Sequence, residues 1–206
     1  MISVGIIGCG RAGQLHFEAI NHSDDAQVLA IADSDKKVLR QREKEWGVEM
    51  TLERYTELLH LPWLDAVIIA LPNHLHKDVT IQAVREHLHV LCEKPIATTT
   101  READAMIDAA EKHDVLLMVA ESMRYEKETI EITKLLREGA IGRPVFAELN
   151  WLHKFERYHY ADRNWLNDPA RSGGGQWIIN GTHLVSALRG WFHAGGAGDV
   201  EQIFAK

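Results

Sequence analysis

Six residues near the start, Gly8-Cys9-Gly10-Arg11-Ala12-Gly13, constrain this chain more than any other stretch. They follow a short apolar run, Val4 to Ile7, and lead into a segment, Gln14 to Ile20, that reads as a helix. A strand, a tight glycine turn and a helix N-terminus together form a site for a pyrophosphate. The first glycine permits the turn, the second lets backbone approach the phosphates, and the third lets the helix pack close to the strand. The unpaired N–H groups of the first helical turn then face the anion. Glycines fall into turns for many reasons, so the weight of this motif depends on the rest of the chain.

The next segments supply that weight. Val28 to Ala32 is a second apolar strand ending at Asp33, 20 residues beyond Gly13, where a dinucleotide fold places its ribose-binding carboxylate. A carboxylate there accepts from ribose hydroxyls and repels a 2′-phosphate, which favours NAD over NADP, although Ser34, Lys37 and Arg40 lie close behind it. The competing reading is that Asp33 caps the helix starting near Asp35. Lys36 to Trp46 reads as a surface helix and Tyr55 to Leu59 as a helical turn. Ala66 to Ala70 is apolar on every residue, as suits a parallel strand covered on both faces. Leu71-Pro72-Asn73 ends that strand, and His76 to Arg85 follows as a helix. His89 to Cys92 is another strand, followed by Glu93-Lys94-Pro95. A helix capped by Thr98 or Thr99 runs to Lys112, and Leu116 to Ala120 closes the series. This regular alternation predicts a doubly wound parallel sheet, an α/β Rossmann fold.

The character changes after Glu121. Thr129 to Glu138 is an amphipathic helix stopped by Gly139, and Val145 to Trp151 reads as a strand. Leu152 to Ser172 is polar and aromatic-rich without periodicity, and Gly173-Gly174-Gly175 precedes a helical segment from Trp177 to Phe192. Val200 to Ala205 reads as one more strand. The expected organisation is a dinucleotide-binding domain over 1–122 and the N-terminal portion of a substrate and oligomerisation domain over 123–206. That second part is expected to be a partial α+β domain with an open, mainly antiparallel sheet. A sheet so incomplete would expose an edge and an apolar face, so the chain reads as C-terminally truncated.

Composition narrows the partners. A net charge of −7 without a basic run argues against nucleic acid or an anionic membrane. No apolar run reaches the roughly 18 residues of a membrane span, and the N-terminus has no signal-peptide pattern. The two cysteines, Cys9 and Cys92, sit in apolar strand contexts and read as reduced thiols of a cytoplasmic protein.

The ordered set of motifs resembles the glucose-fructose oxidoreductase/inositol dehydrogenase/rhizopine-catabolism (Gfo/Idh/MocA) family of NAD(P)-dependent oxidoreductases. The resemblance runs over essentially all 206 residues. Its pieces are Gly8 to Gly13, Asp33, Pro72-Asn73 with His76, Glu93-Lys94-Pro95, Met123-Arg124-Tyr125, Asn164-Trp165, Asp168-Pro169, Gly173 to Gly175, and Gly181 with His183. It implies hydride transfer between nicotinamide and a hydroxyl or carbonyl of a sugar, polyol or related small molecule. Lys94 would polarise or orient the substrate hydroxyl, a partly buried ammonium stabilising a developing alkoxide. His183 would handle the proton, its ordinary pKa near ~6.5 suiting that role. Glu93 would contact the nicotinamide ribose. The implied cofactor-binding set is Gly8, Cys9, Gly10, Arg11, Ala12, Gly13, Asp33, Ser34, Leu71, Pro72, Asn73, His76, Glu93 and Lys94. Arg124, Tyr125, Trp165, Asn180 and His183 would face substrate. A homo-oligomer formed through the second-domain sheet is also implied.

The chain departs from the family pattern at two places near His183. The usual carboxylate four residues before the histidine is Ile179, with Asn180 one place later, and the acid common three residues after it is Ser186. Ile179 and the expected truncation motivate one alternative, a non-catalytic or truncated dinucleotide-binding protein; the resemblance implies a second, a relative that cleaves glycosides with NAD but without net redox change. His153, His159 and His183 lack the paired short spacing of a zinc site, so no metal is expected. Trp151, Trp165 and Trp177 suit either a sugar pocket or core packing.

Overall fold

The computed structural model describes residues 1–150, 152, 164–175 and 177–204. The chain divides into two compact units: Met1–Ala120 with Trp165–Gly174, and Glu121–Asn164 with Gly175–Lys206.

The first unit is a six-stranded parallel sheet in the order β3-β2-β1-β4-β5-β6. The strands are β1 (Ile2–Ile7), β2 (Ala26–Ala32), β3 (Met50–Leu52), β4 (Ala66–Ile69), β5 (His89–Glu93) and β6 (Leu117–Ala120). The helices between them are α1 (Arg11–Ile20), α2 (Lys36–Trp46), α3 (Tyr55–Leu59), α4 (His76–Arg85) and α5 (Thr100–Lys112). Side chains alternate across each strand, so a run that is apolar at every position feeds two cores. Ile7, Val67 and Ile69 enter one core with residues of α3, α4 and α5. Val4, Ile6 and Ile68 enter the other, against Phe17 and Ile20 of α1 and Val38, Leu39 and Trp46 of α2. Phe17 and Trp46 stack with ring centroids 4.5 Å apart.

The caps are local and legible. The Asp35 carboxylate accepts from the Lys37 N–H at 2.8 Å and starts α2, and Thr99 Oγ1 accepts from the Glu102 N–H at 3.2 Å and starts α5. The helix after the glycine turn begins at Arg11, three residues before the expected Gln14, because Gly10 itself is its N-cap. Strand β3 was not expected from the sequence. Three residues are too few to show a period, and it exists by pairing with β2.

In the second unit, α6 (Lys127–Arg137) packs against α8 (Thr182–Ala194), which a single π-helical turn, Trp177–Gly181, precedes. Helix α7 (Pro169–Ser172) belongs to the first unit, although the sequence reading put all of 123–206 in one domain. The strands expected over Val145 to Trp151 and Val200 to Ala205 are a correction. Residues 145–150 and 200–204 carry no strand, and Trp151 and Ala205 lie outside the described residues. Their apolar composition is strand-like, but a strand exists only as a pairing. Without a partner among the described residues, Val145, Phe146 and Phe204 are exposed. His153 and His159 also lie outside the described residues.

Candidate functional site

The strand order of the first unit runs away in opposite directions from the β1–β4 pair, and the loops leaving those strands are the ones the sequence singled out. A crevice at such a switch point, on the carboxyl edge of a parallel sheet, is where ligands bind.

Three glycines of the turn after β1 have three different reasons. Gly8 has φ +96°, and a Cβ on it would lie 2.4 Å from the Ala70 carbonyl oxygen of the neighbouring strand end. A Cβ on Gly13 would lie 2.1 Å from the Gly8 oxygen, so this glycine lets α1 close onto β1. Gly10 has an ordinary φ of −70° and, among the described residues, no neighbour within 4 Å of a Cβ. No described residue demands a glycine there. The open space in front of Gly10, at the start of a ten-residue helix, is what a pyrophosphate approaching backbone N–H groups requires, so the cradle fits a dinucleotide. Arg11 is exposed beside it.

Asp33 is fixed by the same turn. Its carboxylate accepts from the Cys9 N–H and from the Asp35 N–H, each at 2.8 Å. The cap of α2 is Asp35, not Asp33. Asp33 and Ser34 line a cavity of about 570 Å³ with Leu71, and Glu53, Asp78 and Arg85 also border it. Three carboxylates against one guanidinium suit ribose hydroxyls better than a 2′-phosphate. Lys36, the nearest lysine after Asp33, is paired with Glu53 at 2.8 Å. Arg42 of α2 donates from Nε to the Cys9 carbonyl at 3.1 Å and stacks over Trp46, bracing the turn from behind.

Three predicted cofactor residues have buried side chains. The Cys9 thiol is buried, and burial, with Asp33 beside it, pushes its pKa up to about 12, so only its main chain is offered to a ligand. His76 is fully buried, with Nε2 2.8 Å from the Leu71 carbonyl and Nδ1 2.9 Å from the Pro95 carbonyl. Burial pushes its pKa down, and the ring braces the loops after β4 and β5. Asn73 is buried as well, its amide donating to the Ser172 carbonyl at 2.7 Å, which ties the loop after β4 to α7.

Lys94 follows Glu93 at the end of β5, before a cis Lys94–Pro95 peptide. Glu93 is held from two sides: Oε2 accepts from the Lys94 N–H at 3.1 Å, and Oε1 lies 2.8 Å from His16 Nε2. Burial raises the Glu93 pKa, but the hydrogen bond from His16 and the charges of His16 and Lys94 outweigh it and hold the carboxyl below its usual range. His16, on α1, escaped the sequence reading; its position one turn beyond the glycine motif was the only available signal.

Trp165 is half-buried in the first unit. Arg124, Tyr125, Asn180 and His183 belong to the second. Arg124 and Tyr125 sit in a 3₁₀ turn, Ser122–Tyr125, with Tyr125 exposed. Asn180 is in the π-helical turn and His183 at the start of α8. His183 Nδ1 makes a close hydrogen bond to Glu121 Oε1, and both side chains are largely buried. Glu121 also escaped the sequence reading, because 62 residues separate it from its partner.

Comparison with known proteins agrees with this geometry. Residues 2–121 match the family model described as "Oxidoreductase family, NAD-binding Rossmann fold", and residues 129–206 match "GFO/IDH/MocA C-terminal domain". The myo-inositol 2-dehydrogenase of Thermotoga maritima is 32% identical over 141 residues, 68% of this chain and 42% of that protein. The 2,7-anhydro-N-acetylneuraminate hydratase of Escherichia coli is 29% identical over 177 residues, 84% of this chain and 45% of that protein. Among solved structures, the WlbA dehydrogenase of Bordetella pertussis in complex with NADH and UDP-GlcNAcA superposes with a TM-score of 0.82 at 28% identity. That likeness covers 93% of this chain and 59% of the other. The chain spans about half the length of the curated relatives it matches.

Proposed function

The chain belongs to the Gfo/Idh/MocA family of oxidoreductases, with an NAD-binding Rossmann domain, and we propose that it oxidises a hydroxyl of a sugar, polyol or related small molecule, or reduces the corresponding carbonyl. The observation that carries this reading is the gathering of the glycine cradle, Asp33 and the Glu93-Lys94 pair on the loops of one sheet edge. NAD is favoured over NADP because Asp33 and Asp78 border the cavity, together with Glu53, which is paired with Lys36. When bound, the dinucleotide would accept or supply hydride at nicotinamide C4.

The chain's own residues do the rest. The Gly10 to Gly13 N–H groups hold the pyrophosphate and Asp33 holds the ribose. The Lys94 ammonium orients the substrate oxygen and stabilises the negative charge that grows on it as hydride leaves. His183 takes the hydroxyl proton. Arg124, Tyr125, Asn180 and Trp165 contribute substrate contacts. Residues 1–122 would thus hold the dinucleotide and supply Lys94, while 123–206 would supply His183 and the remaining substrate contacts. The exposed apolar Val145, Phe146 and Phe204 support self-association through the second domain. Two buried free thiols suit a cytoplasmic setting.

A Lys94→Ala variant tests the reading: turnover on a panel of polyols and sugars should vanish while NADH binding, followed by fluorescence, stays nearly intact. Unchanged turnover would overturn the assignment of Lys94. A second reading is favoured by the hydratase relative, since hydration is redox-neutral overall. It predicts conversion of an anhydro sugar or aryl glycoside without added NAD and without accumulation of NADH.

A further inference from the structure

A carboxylate hydrogen-bonded to His183, that of Glu121, comes from outside the helix carrying the histidine. One turn to either side, the chain offers Ile179 and Asn180 before it and Ser186 and Ala187 after it, and none of these can hold an imidazole by charge. We infer that Glu121 is the positioning residue for His183, fixing the ring and its tautomer so that the histidine serves as a proton acceptor. The inference rests on the proton-transfer role of His183 proposed above.

Three observations within the second unit carry it. His183 Nδ1 is hydrogen-bonded to Glu121 Oε1, so the ring presents Nδ1–H to a carboxylate. The carboxylate is itself pinned, because Oε1 also accepts from the Met123 N–H at 3.3 Å, where Glu121 caps the Ser122–Tyr125 turn. Both side chains are largely shielded, at 13% exposure for His183 and 11% for Glu121, so the contact is not a solvent-screened surface pair. An imidazole that donates through Nδ1 to a carboxylate carries its basic lone pair on Nε2, and a carboxylate behind it stabilises the imidazolium that forms when Nε2 takes a proton. Bound this way, the ring neither flips nor changes tautomer without breaking a charge-assisted hydrogen bond. The geometry also gives the Ser122–Tyr125 turn a purpose: it places Arg124 and Tyr125 on the same short segment as the carboxylate that aims the base.

The test reads the tautomer directly. In the full chain labelled with ¹⁵N-histidine, the neutral form of the His183 ring should show a protonated Nδ1 and an unprotonated Nε2. Glu121→Gln, whose side-chain oxygen still accepts, should keep that pattern, whereas Glu121→Ala should lose it and show mixed or Nε2-protonated signals. Where turnover on a polyol or sugar panel is measurable, Glu121→Ala should lower kcat on the order of tenfold or more, part of the 10²–10⁴ that a positioned base contributes, with NADH affinity within about threefold. A neutral wild-type ring protonated at Nε2, or a tautomer unmoved by Glu121→Ala in a protein that still melts cooperatively, would overturn the inference. The ring signals decide this even if no substrate turns over, so failure of the dehydrogenase reading is recognised separately.

Discussion

Gly10→Ala separates a glycine required by the fold from one required by a ligand. With φ −70° and nothing within 4 Å of a Cβ, alanine enters the unliganded protein without strain. Alanine is a poorer N-cap than glycine by roughly 0.5–1 kcal/mol, while restricting the unfolded chain returns about 0.4–1 kcal/mol. The two nearly cancel, and the melting temperature should move by less than about 2 °C. The methyl group would occupy the space where phosphate oxygens meet the first N–H groups of α1. Losing one charge-assisted hydrogen bond of about 1.5–3 kcal/mol weakens NADH at least about tenfold. The neighbouring glycines behave oppositely. A Cβ at Gly13 must displace the Gly8 carbonyl from 2.1 Å, and alanine at Gly8 adds an unfavourable φ of +96° to a 2.4 Å contact. Overpacking costs about 1–3 kcal/mol and a left-handed alanine about 1–2 kcal/mol, so Gly8→Ala should lower the melting temperature by on the order of 10 °C. NADH fluorescence titration beside thermal melts of the three variants decides the matter. A Gly10→Ala protein that binds NADH within threefold of wild type would refute the cradle, as would one that melts as early as Gly8→Ala.

Other perturbations have equally direct readouts. Asp33→Ser should weaken NADH at least about tenfold and narrow the gap to NADPH, measured by parallel titrations; an unchanged ratio would remove Asp33 from ribose selection. Glu93 has its folded pKa lowered below the ordinary 4.5, so its carboxylate stabilises the fold above that range and the contribution is lost as pH falls through the folded value. Melts should therefore show wild type more stable than Glu93→Gln near pH 7, with the difference shrinking as the pH falls below 4.5. His16→Ala should reduce the same difference, because it removes one of the groups that together outweigh burial. Arg189 and Asp199 form an exposed pair that holds the Asp199 pKa down to about 2, yet Arg189→Ala should leave the melting temperature unchanged within error.

Much of the first unit was legible because its determinants are local. Apolar runs such as Ala66 to Ile69 announce strands covered on two faces, and Asp35 and Thr99 carry their caps within three residues. Strand β3 was hidden because its three residues are specified by the edge of β2 and not by their own pattern. The second unit was harder for the related reason that apolar sequence over 145–150 and 200–204 states a preference while pairing requires a partner. The side-chain couples were invisible in principle. His16 and Glu93 are 77 residues apart, and Glu121 and His183 are 62 apart, so only the folded chain brings each pair together.

Those two couples also reinterpret the departure at Ile179. A histidine with an apolar residue one turn earlier reads, in sequence, as a base without its acid. Orientation of an imidazole, however, depends on where a carboxylate oxygen lies and not on which element delivers it. Glu121 delivers that oxygen from a capped turn, just as His16 reaches Glu93 from α1, so in both places a group is steadied from an element other than its own. Steadying of this kind tolerates exchange at the local position as long as the distant partner remains. It follows that Ile179→Ala, which shortens an apolar side chain and removes no side-chain hydrogen-bonding group, should alter the His183 tautomer far less than Glu121→Ala does. The reverse ranking, read from the same ¹⁵N ring signals, would return the orienting role to the helix itself.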